Sequence, residues 1–506
     1  LEGLRSICQL TAGGFIAEAL EAYSILKVTG RQLVFPICFI SFTSTPEKIM
    51  FSALFSPAHF NYFSLTSLIK MINRNRPYIK AAVSQWGHAA YQSVEKYFSG
   101  FIVSFLLLYA TPFVADAQSS KDSLTQALNE QYSKSGFPGF SVAIVNKDSI
   151  LYEQGFGFAD IDKKLPYNIN TLQPIASVSK LFIGMAVMKA VEQGLFTLDA
   201  DINGILPFKV VHPYNPEIPI TIKHLVTHTS GIVDHADTYK KTYIYPPPVK
   251  EGNALYQLMV SKGYGATASD TTLGGFLKNY LTTDGHLFKK SNFNKAAPCK
   301  RYEYSNLASD LVAYLIEVKS GLSFAAYTEK YILGPLHMNA SGWFARPELK
   351  DRNAILYTGL KVPYPSYTSI CYPDGGLITS CHDLSIFLKE NIAGYQGKGT
   401  LLEPASFSIL MQPAFSAAYK PSDINPNEPN IGVLYTIKKN GIIGHSGSDG
   451  GVTSFLYFNP EKGYGMLFIA NTELEGLNGI NKNLLSDFQK IWGIMSQYGT
   501  KLHNRS

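Results

Sequence analysis

A serine three positions ahead of a lysine, in Ser177-Val178-Ser179-Lys180, is a pattern in this chain that could do covalent chemistry. On a helix, residues i and i+3 share a face, so the Lys180 amine would stand beside the Ser177 hydroxyl. A serine hydroxyl is a poor nucleophile until a neighbouring base takes its proton. Lysine can be that base if burial and the helix N-terminus lower its pKa. The same helix end would aim free N–H groups at a developing oxyanion. Alone the pattern carries little weight, because Ser67-Leu68-Ile69-Lys70 and Ser93-Val94-Glu95-Lys96 fit it equally well.

Two later segments add to it. Tyr304-Ser305-Asn306 offers a phenol able to relay a proton to a leaving group and an amide able to orient a substrate. Its plainer reading is a core tyrosine followed by the N-cap of a helix over 307–319. His445-Ser446-Gly447-Ser448 runs into Asp449-Gly450-Gly451 and then a strand. Glycine at a strand edge lets a substrate backbone approach, and the next N–H can complete an oxyanion hole. Its plainer reading is a glycine-rich turn beside a hydrogen-bonded histidine.

These chemical groups need elements to hold them. A helix over 178–193, stopped by Gly194, is apolar around nearly its whole circumference and is expected to be buried. A helix over 121–132 precedes a hairpin of strands at 140–145 and 150–156, turned by Asn146-Lys147-Asp148. Strands recur at 442–443, 452–458 and 465–469, and a helix follows over 484–495. Pro246-Pro247-Pro248 and the Lys/Asn-rich stretch 289–295 read as irregular, exposed loops.

In order and spacing, the three motifs resemble the penicillin-binding-protein and class C β-lactamase family, where Y-x-N stands as the second motif. Gln173-Pro174-Ile175-Ala176, the stretch ITIKHLVTHTSGI at 220–232, Gly334-Pro335-Leu336 and Gly375-Gly376-Leu377 fit the same branch. The likeness covers about residues 121–495. It implies an α/β (α+β) fold: an antiparallel sheet flanked by helices plus a mostly helical region, with the site between them. It also implies acylation followed by hydrolysis, with no cofactor and no metal. Ser177 would be the nucleophile, with Lys180 and Tyr304 as the general-base pair. Asn306, His445 and Gly447 would meet the substrate, and the N–H groups of Ser177 and Ser448 would form the oxyanion hole. Substrates would be D-alanyl peptides, β-lactams or esters, including peptidoglycan-derived ones. A sensor that acylates without turnover would need the same serine and lysine.

Three departures stand out. His445 occupies the place where β-lactamases usually carry lysine, and histidine is mostly neutral at pH 7; this agrees better with peptidase- or esterase-like members carrying H-x-G. Cys299 follows Pro298 where a glycine is common. The segment from Gly231 to Tyr304 reads as an enlarged insertion, whose Tyr243 and Tyr245 either shape substrate choice or cover a loop.

Composition narrows the rest. With 46% hydrophobic and 16% charged residues, the chain can bury a substantial core, which excludes wholesale disorder. The formal charge is +6, but no basic stripe with interleaved aromatics exists, so nucleic-acid binding has no electrostatic footprint. Five cysteines match no zinc or redox spacing; free thiols are expected, a Cys371–Cys381 bridge being the other possibility. His224 and His228 are four apart but lack the adjacent glutamate of a zinc site, and Asp383 reads as helix-start chemistry.

The first 117 residues differ in kind, with no aspartate before Asp116. Lys96, an apolar run over 101–109 and Ala115-Asp116-Ala117 are the parts of a signal peptide over 96–117. The expected location is periplasmic or secreted, with membrane contact only through the export signal. Residues 1–95 are anomalous ahead of such a signal. They read as an over-extended frame, with translation starting near Met71 or later, or else as a membrane-associated region with apolar stretches such as 35–42. The hydrolase-like domain is then 118–506.

Overall fold

A computed structural model describes residues 19–28, 31–40, 119–245, 254–265, 272–416, 418–476 and 479–505. The expected signal peptide at 96–117, the two early S-x-x-K matches and Pro246-Pro247-Pro248 lie outside these residues. Among the described residues of the N-terminal unit, Ala19–Val28 and Arg31–Ile40 pair as an antiparallel hairpin.

The rest is built on an eight-stranded antiparallel sheet. Its strands are β1 (Gly139–Asn146), β2 (Ile150–Asp160), β3 (Leu165–Pro166), β4 (Asn430–Ile431), β5 (Thr436–Ile437), β6 (Ile443–Asp449), β7 (Val452–Asn459) and β8 (Tyr464–Ala470), in the order β4-β5-β6-β7-β8-β1-β2-β3. The first hairpin forms as its turn residues require, with Phe140 opposite Phe156 and a bulge at Ile144/Val145. The first and last strands of this sheet in chain order pair in its middle, where β8 runs beside β1.

Side-chain alternation divides two cores. Phe140, Val142 and Ile144 face a cluster with Leu124 and Leu128 of α1 (119–133) and Phe488, Ile491 and Met495 of α5 (Lys482–His503). Ala143 and Val145 face the other way, into the larger core of α2 (Lys180–Glu192), α3 (Asn306–Ser320) and α4 (Cys381–Tyr395). α2 is buried on all sides, as its composition requires; Phe182 stacks on Phe387 of α4 with ring centroids 3.8 Å apart. Gly194, with φ +70°, ends this segment.

Cys371 and Cys381 are buried free thiols, and Cys299 is free as well. Asp383 lies in the first turn of α4, as expected, where its N–H is capped by Ser380 and its carboxylate accepts from Ser341. The 289–295 stretch departs from expectation. Lys289, Lys290 and Lys295 are exposed, but Asn292 and Phe293 are buried. The Asn292 amide donates to the carbonyls of Tyr280 and Leu287, which fastens the loop to the core. Among the described residues no helix is long and apolar enough to cross a membrane.

Candidate active site

Ser177 sits on a short 3-10 turn, Ala176–Ser179, that feeds α2. Ala176 has φ +45°, a left-handed conformation that costs a residue bearing a Cβ roughly 1–2 kcal/mol. Lys180, the first residue of α2, is wholly buried. An ammonium has three donors, and Lys180 Nζ meets three acceptors: Ser177 Oγ at 3.2 Å, Asn306 Oδ1 at 2.7 Å and the Asp374 carbonyl at 2.8 Å.

This arrangement corrects the expectation of a lowered lysine pKa. Burial does pull it down, but Tyr304 and the carboxyl groups of Asp374 and Asp310 outweigh burial and leave it above the ordinary lysine value. Resting Lys180 is therefore a cation and a donor. The Tyr304 hydroxyl stands on the other side of Ser177 Oγ, at 2.9 Å, and Lys180 Nζ lies 5.3 Å from the Tyr304 ring centroid.

Tyr304-Ser305-Asn306 is the approach to α3, with Ser305 as N-cap. Asp234 fixes it: its carboxylate accepts from Ser305 Oγ at 2.6 Å, from the Asn306 N–H at 2.5 Å and from the Leu307 N–H at 3.3 Å. Burial pushes the Asp234 pKa up to about 6. His228 packs beneath Tyr304, ring centroids 4.6 Å apart, and its Nδ1 accepts from the Ser305 N–H. Burial, then the charge on Lys180, holds His228 neutral. His224 instead closes a capping box with Thr221, so the two imidazoles serve different elements.

The third motif is a strand and not the glycine-rich turn of the plainer reading: 445–448 pair in register with β7. Gly447 is required there, because a Cβ would fall 2.5 Å from the Ile175 carbonyl oxygen and 2.9 Å from Ser177 N. His445 Nδ1 lies 2.5 Å from the Ser446 carbonyl. A carbonyl only accepts, so Nδ1 carries the proton and Nε2 is left as an acceptor. Burial, and then Lys180, push His445 down to about 3, so it is neutral. Its ring centroid lies 6.1 Å from that of Tyr304. Ser448 follows, exposed. β5 pairs with β6 only at Ile443 and Gly444, so 445–449 have no strand on that side among the described residues.

Ser177, Lys180, Tyr304 and Asn306 thus form one bonded group, with Gly447 against the serine backbone and His445 beside the tyrosine. Sequence reasoning missed Asp234, Asp310 and Asp374, and weighed His228 only against a zinc site. Asp310 lies four residues after Asn306 and so shares its helix face, the one signal that could have found it. Its Oδ1 accepts the Asp374 N–H at 3.1 Å. Burial, and then Asp374, push the Asp310 pKa well up. Cys299 has φ +80°, a conformation suited to the glycine expected there. Of the two inserted tyrosines, Tyr243 reaches Asp449. Tyr245 turns away to Tyr256 and Met259.

Comparison with known proteins agrees with this geometry. Residues 122–485 match the model of the Beta-lactamase family. Protein flp of Staphylococcus aureus (strain N315) is 23% identical over 393 residues, 75% of this chain and 70% of that protein. Penicillin-binding protein 4* of Bacillus subtilis (strain 168) is 25% identical over 238 residues, 46% of this chain and 44% of that protein. An octameric penicillin-binding protein homologue from Pyrococcus abyssi superposes with a TM-score of 0.58 at 24% identity, covering 75% of this chain and 77% of its own. A β-lactamase/D-alanine carboxypeptidase from Yersinia pestis gives 0.56 at 18% identity, covering 76% and 99%. At these identities the structural likeness speaks for the fold. With well over half its length inside the family match, this chain belongs to the beta-lactamase family and is similar to its penicillin-binding proteins and D-alanine carboxypeptidases.

Proposed function

We propose that this chain is a serine hydrolase that cleaves small amides or esters through an acyl-enzyme on Ser177. The family acts on small peptide- and β-lactam-type substrates. The observation that carries the reading is Ser177 Oγ held between Lys180 Nζ at 3.2 Å and Tyr304 Oη at 2.9 Å. The Ser177 oxygen attacks the acyl carbon as its proton passes to the Tyr304 oxygen, which acts in its ionised form after giving its own proton to solvent, its negative charge balanced by the Lys180 cation. Tyr304 then gives that proton to the departing nitrogen or oxygen. Water repeats the sequence on the ester and releases the acid. The N–H groups of Ser177 and Ser448 receive the negative oxygen.

His445 bears on substrate choice. A neutral ring presenting an acceptor gives no charge to a substrate carboxylate, which favours peptide or ester substrates lacking one at that point. The 96–117 segment supports export to the periplasm or beyond, with 118–506 as the working domain.

The test treats the full chain with a fluorophosphonate and a fluorescent penicillin and follows adducts by intact mass. A label lost in Ser177→Ala supports the reading, and a label retained in that variant sinks it. An adduct that never turns over would make the protein a sensor.

A further inference from the structure

We propose that Asp449 and the tyrosines around it form a subsite for a protonated amine on the acyl half of the substrate. The proposal rests on the acyl-enzyme reading above and gives it a substrate class: acyl groups carrying a free amine, such as amino-acid amides and peptides with an unblocked N-terminus.

Strand geometry supplies the placement. Successive side chains on β6 point to opposite faces, so His445, Gly447 and Asp449 share one face. On that face Gly447 meets the backbone of Ile175 and Ser177. Asp449 therefore stands one pleat further on, about 7 Å along the strand. Tyr304, which protonates the leaving group, lies by His445 at the other end of the same row. A substrate with its leaving group at Tyr304 has its acyl half directed toward Asp449.

The chemistry there is unlike the rest of the site. Asp449 is half-buried, and its Oδ1 accepts from the Tyr243 hydroxyl at 2.6 Å and the Gly450 N–H at 2.7 Å. The Tyr367 hydroxyl donates to the Gly450 carbonyl at 2.8 Å. Tyr243 has the rings of Tyr264 and Tyr367 beside it, each with its centroid 5.4 Å away. Burial raises the Asp449 pKa and Asp374 adds to that, while Tyr243, Gly450 and Tyr367 pull it back. All the groups that favour its ionised form are neutral donors. Among the described residues Asp449 has no ion pair, and nearby Lys240 is held by Asp237. A half-buried carboxylate bonded only by neutral donors, its charge uncompensated and phenol rings around it, suits an ammonium. It disfavours an anionic acyl group by repulsion.

The test measures kcat/KM of the full chain for D- and L-alanine p-nitroanilide against their N-acetyl counterparts, which have lost the charge. For at least one enantiomer the free amine is expected to be preferred by about tenfold or more, the worth of one charge-assisted contact. Asp449→Asn is expected to bring the ratio close to one. Tyr243→Phe, which keeps the ring and is the milder change, should lower it less, about threefold. Fluorophosphonate labelling of Ser177 and hydrolysis of p-nitrophenyl butyrate run in parallel. If Ser177 is labelled and the butyrate cleaved, but acetylated and free amines are used alike, the subsite is wrong and the acyl-enzyme reading stands. The same holds if both variants keep the wild-type ratio. If labelling and butyrate cleavage both fail, the acyl-enzyme reading falls and takes the subsite with it.

Discussion

On the side of α2 and α3, the groups that touch Ser177 Oγ come from the starts of two helices, and each is tied to a further buried group. Lys180 spends all three donors, and Asp234 pins the approach to α3. On the side of β6, the tyrosines around Asp449 come from short pieces: Tyr243 from a two-residue strand, Tyr264 from the turn after the helix Ala254–Ser261, and Tyr367 from the loop before Thr368. Helix starts fix atoms closely, as bond-making needs. Loop-borne tyrosines present broad surface with one polar tip, as selection among substrates needs. The difference teaches that this fold can alter what it accepts without disturbing how it reacts.

The sharpest way to break that contrast is at Lys180. Lys180→Met removes the cation and leaves the Asn306 and Asp374 oxygens without their donor. Ester hydrolysis should fall by about 10³-fold or more in kcat, measured by steady-state kinetics on protein shown to be folded. A loss under tenfold would mean that the helix side is not the reacting side. Gly447→Ala comes next. The added methyl must displace Ile175 or Ser177, so kcat should drop about 10²-fold while substrate binding changes little.

The strand side should show itself through pH. Glu473 accepts from the N–H groups of Gly451 and Gly359, and burial pushes its pKa up from 4.5 to about 6. Its folded pKa lies above its unfolded one, so its stabilising contribution is full below pH 4.5 and is lost as pH rises through about 6. The change is worth about 2 kcal/mol. Urea denaturation of Glu473→Gln at several pH values should show that slope flattened. The smallest effect is expected behind the helix side, at Cys299. Cys299→Gly relieves φ +80° and should raise stability by about 1 kcal/mol, read as a higher urea midpoint.

Local pattern made the reacting groups and their supports legible. Ser177, Lys180 and Tyr304 lie in short motifs, and the all-round apolar character of α2 declared its burial. What pattern missed depends on distant partners. β6 reads poorly as a strand because His445-Ser446-Gly447-Ser448 has no β-branched residue; its form comes from pairing with β7. The lysine pKa departs from expectation because the groups that raise it, Tyr304, Asp374 and Asp310, all lie far along the chain from Lys180. Asp234 reaches the second motif from 72 positions upstream, and nothing in its own neighbourhood announces that. Tyr243 and Tyr245 looked alike in sequence and diverge only because one faces Asp449 and the other the helix Ala254–Ser261.

The burial of α2 has a consequence for how this protein fails. A helix enclosed on every side cannot fray into solvent on its own, so its amide hydrogens should exchange only when the whole domain opens. Lys180 is its first residue and Ser177 sits on the turn before it. Inactivation by denaturant and loss of tertiary structure should therefore coincide, with no folded but inert species between them.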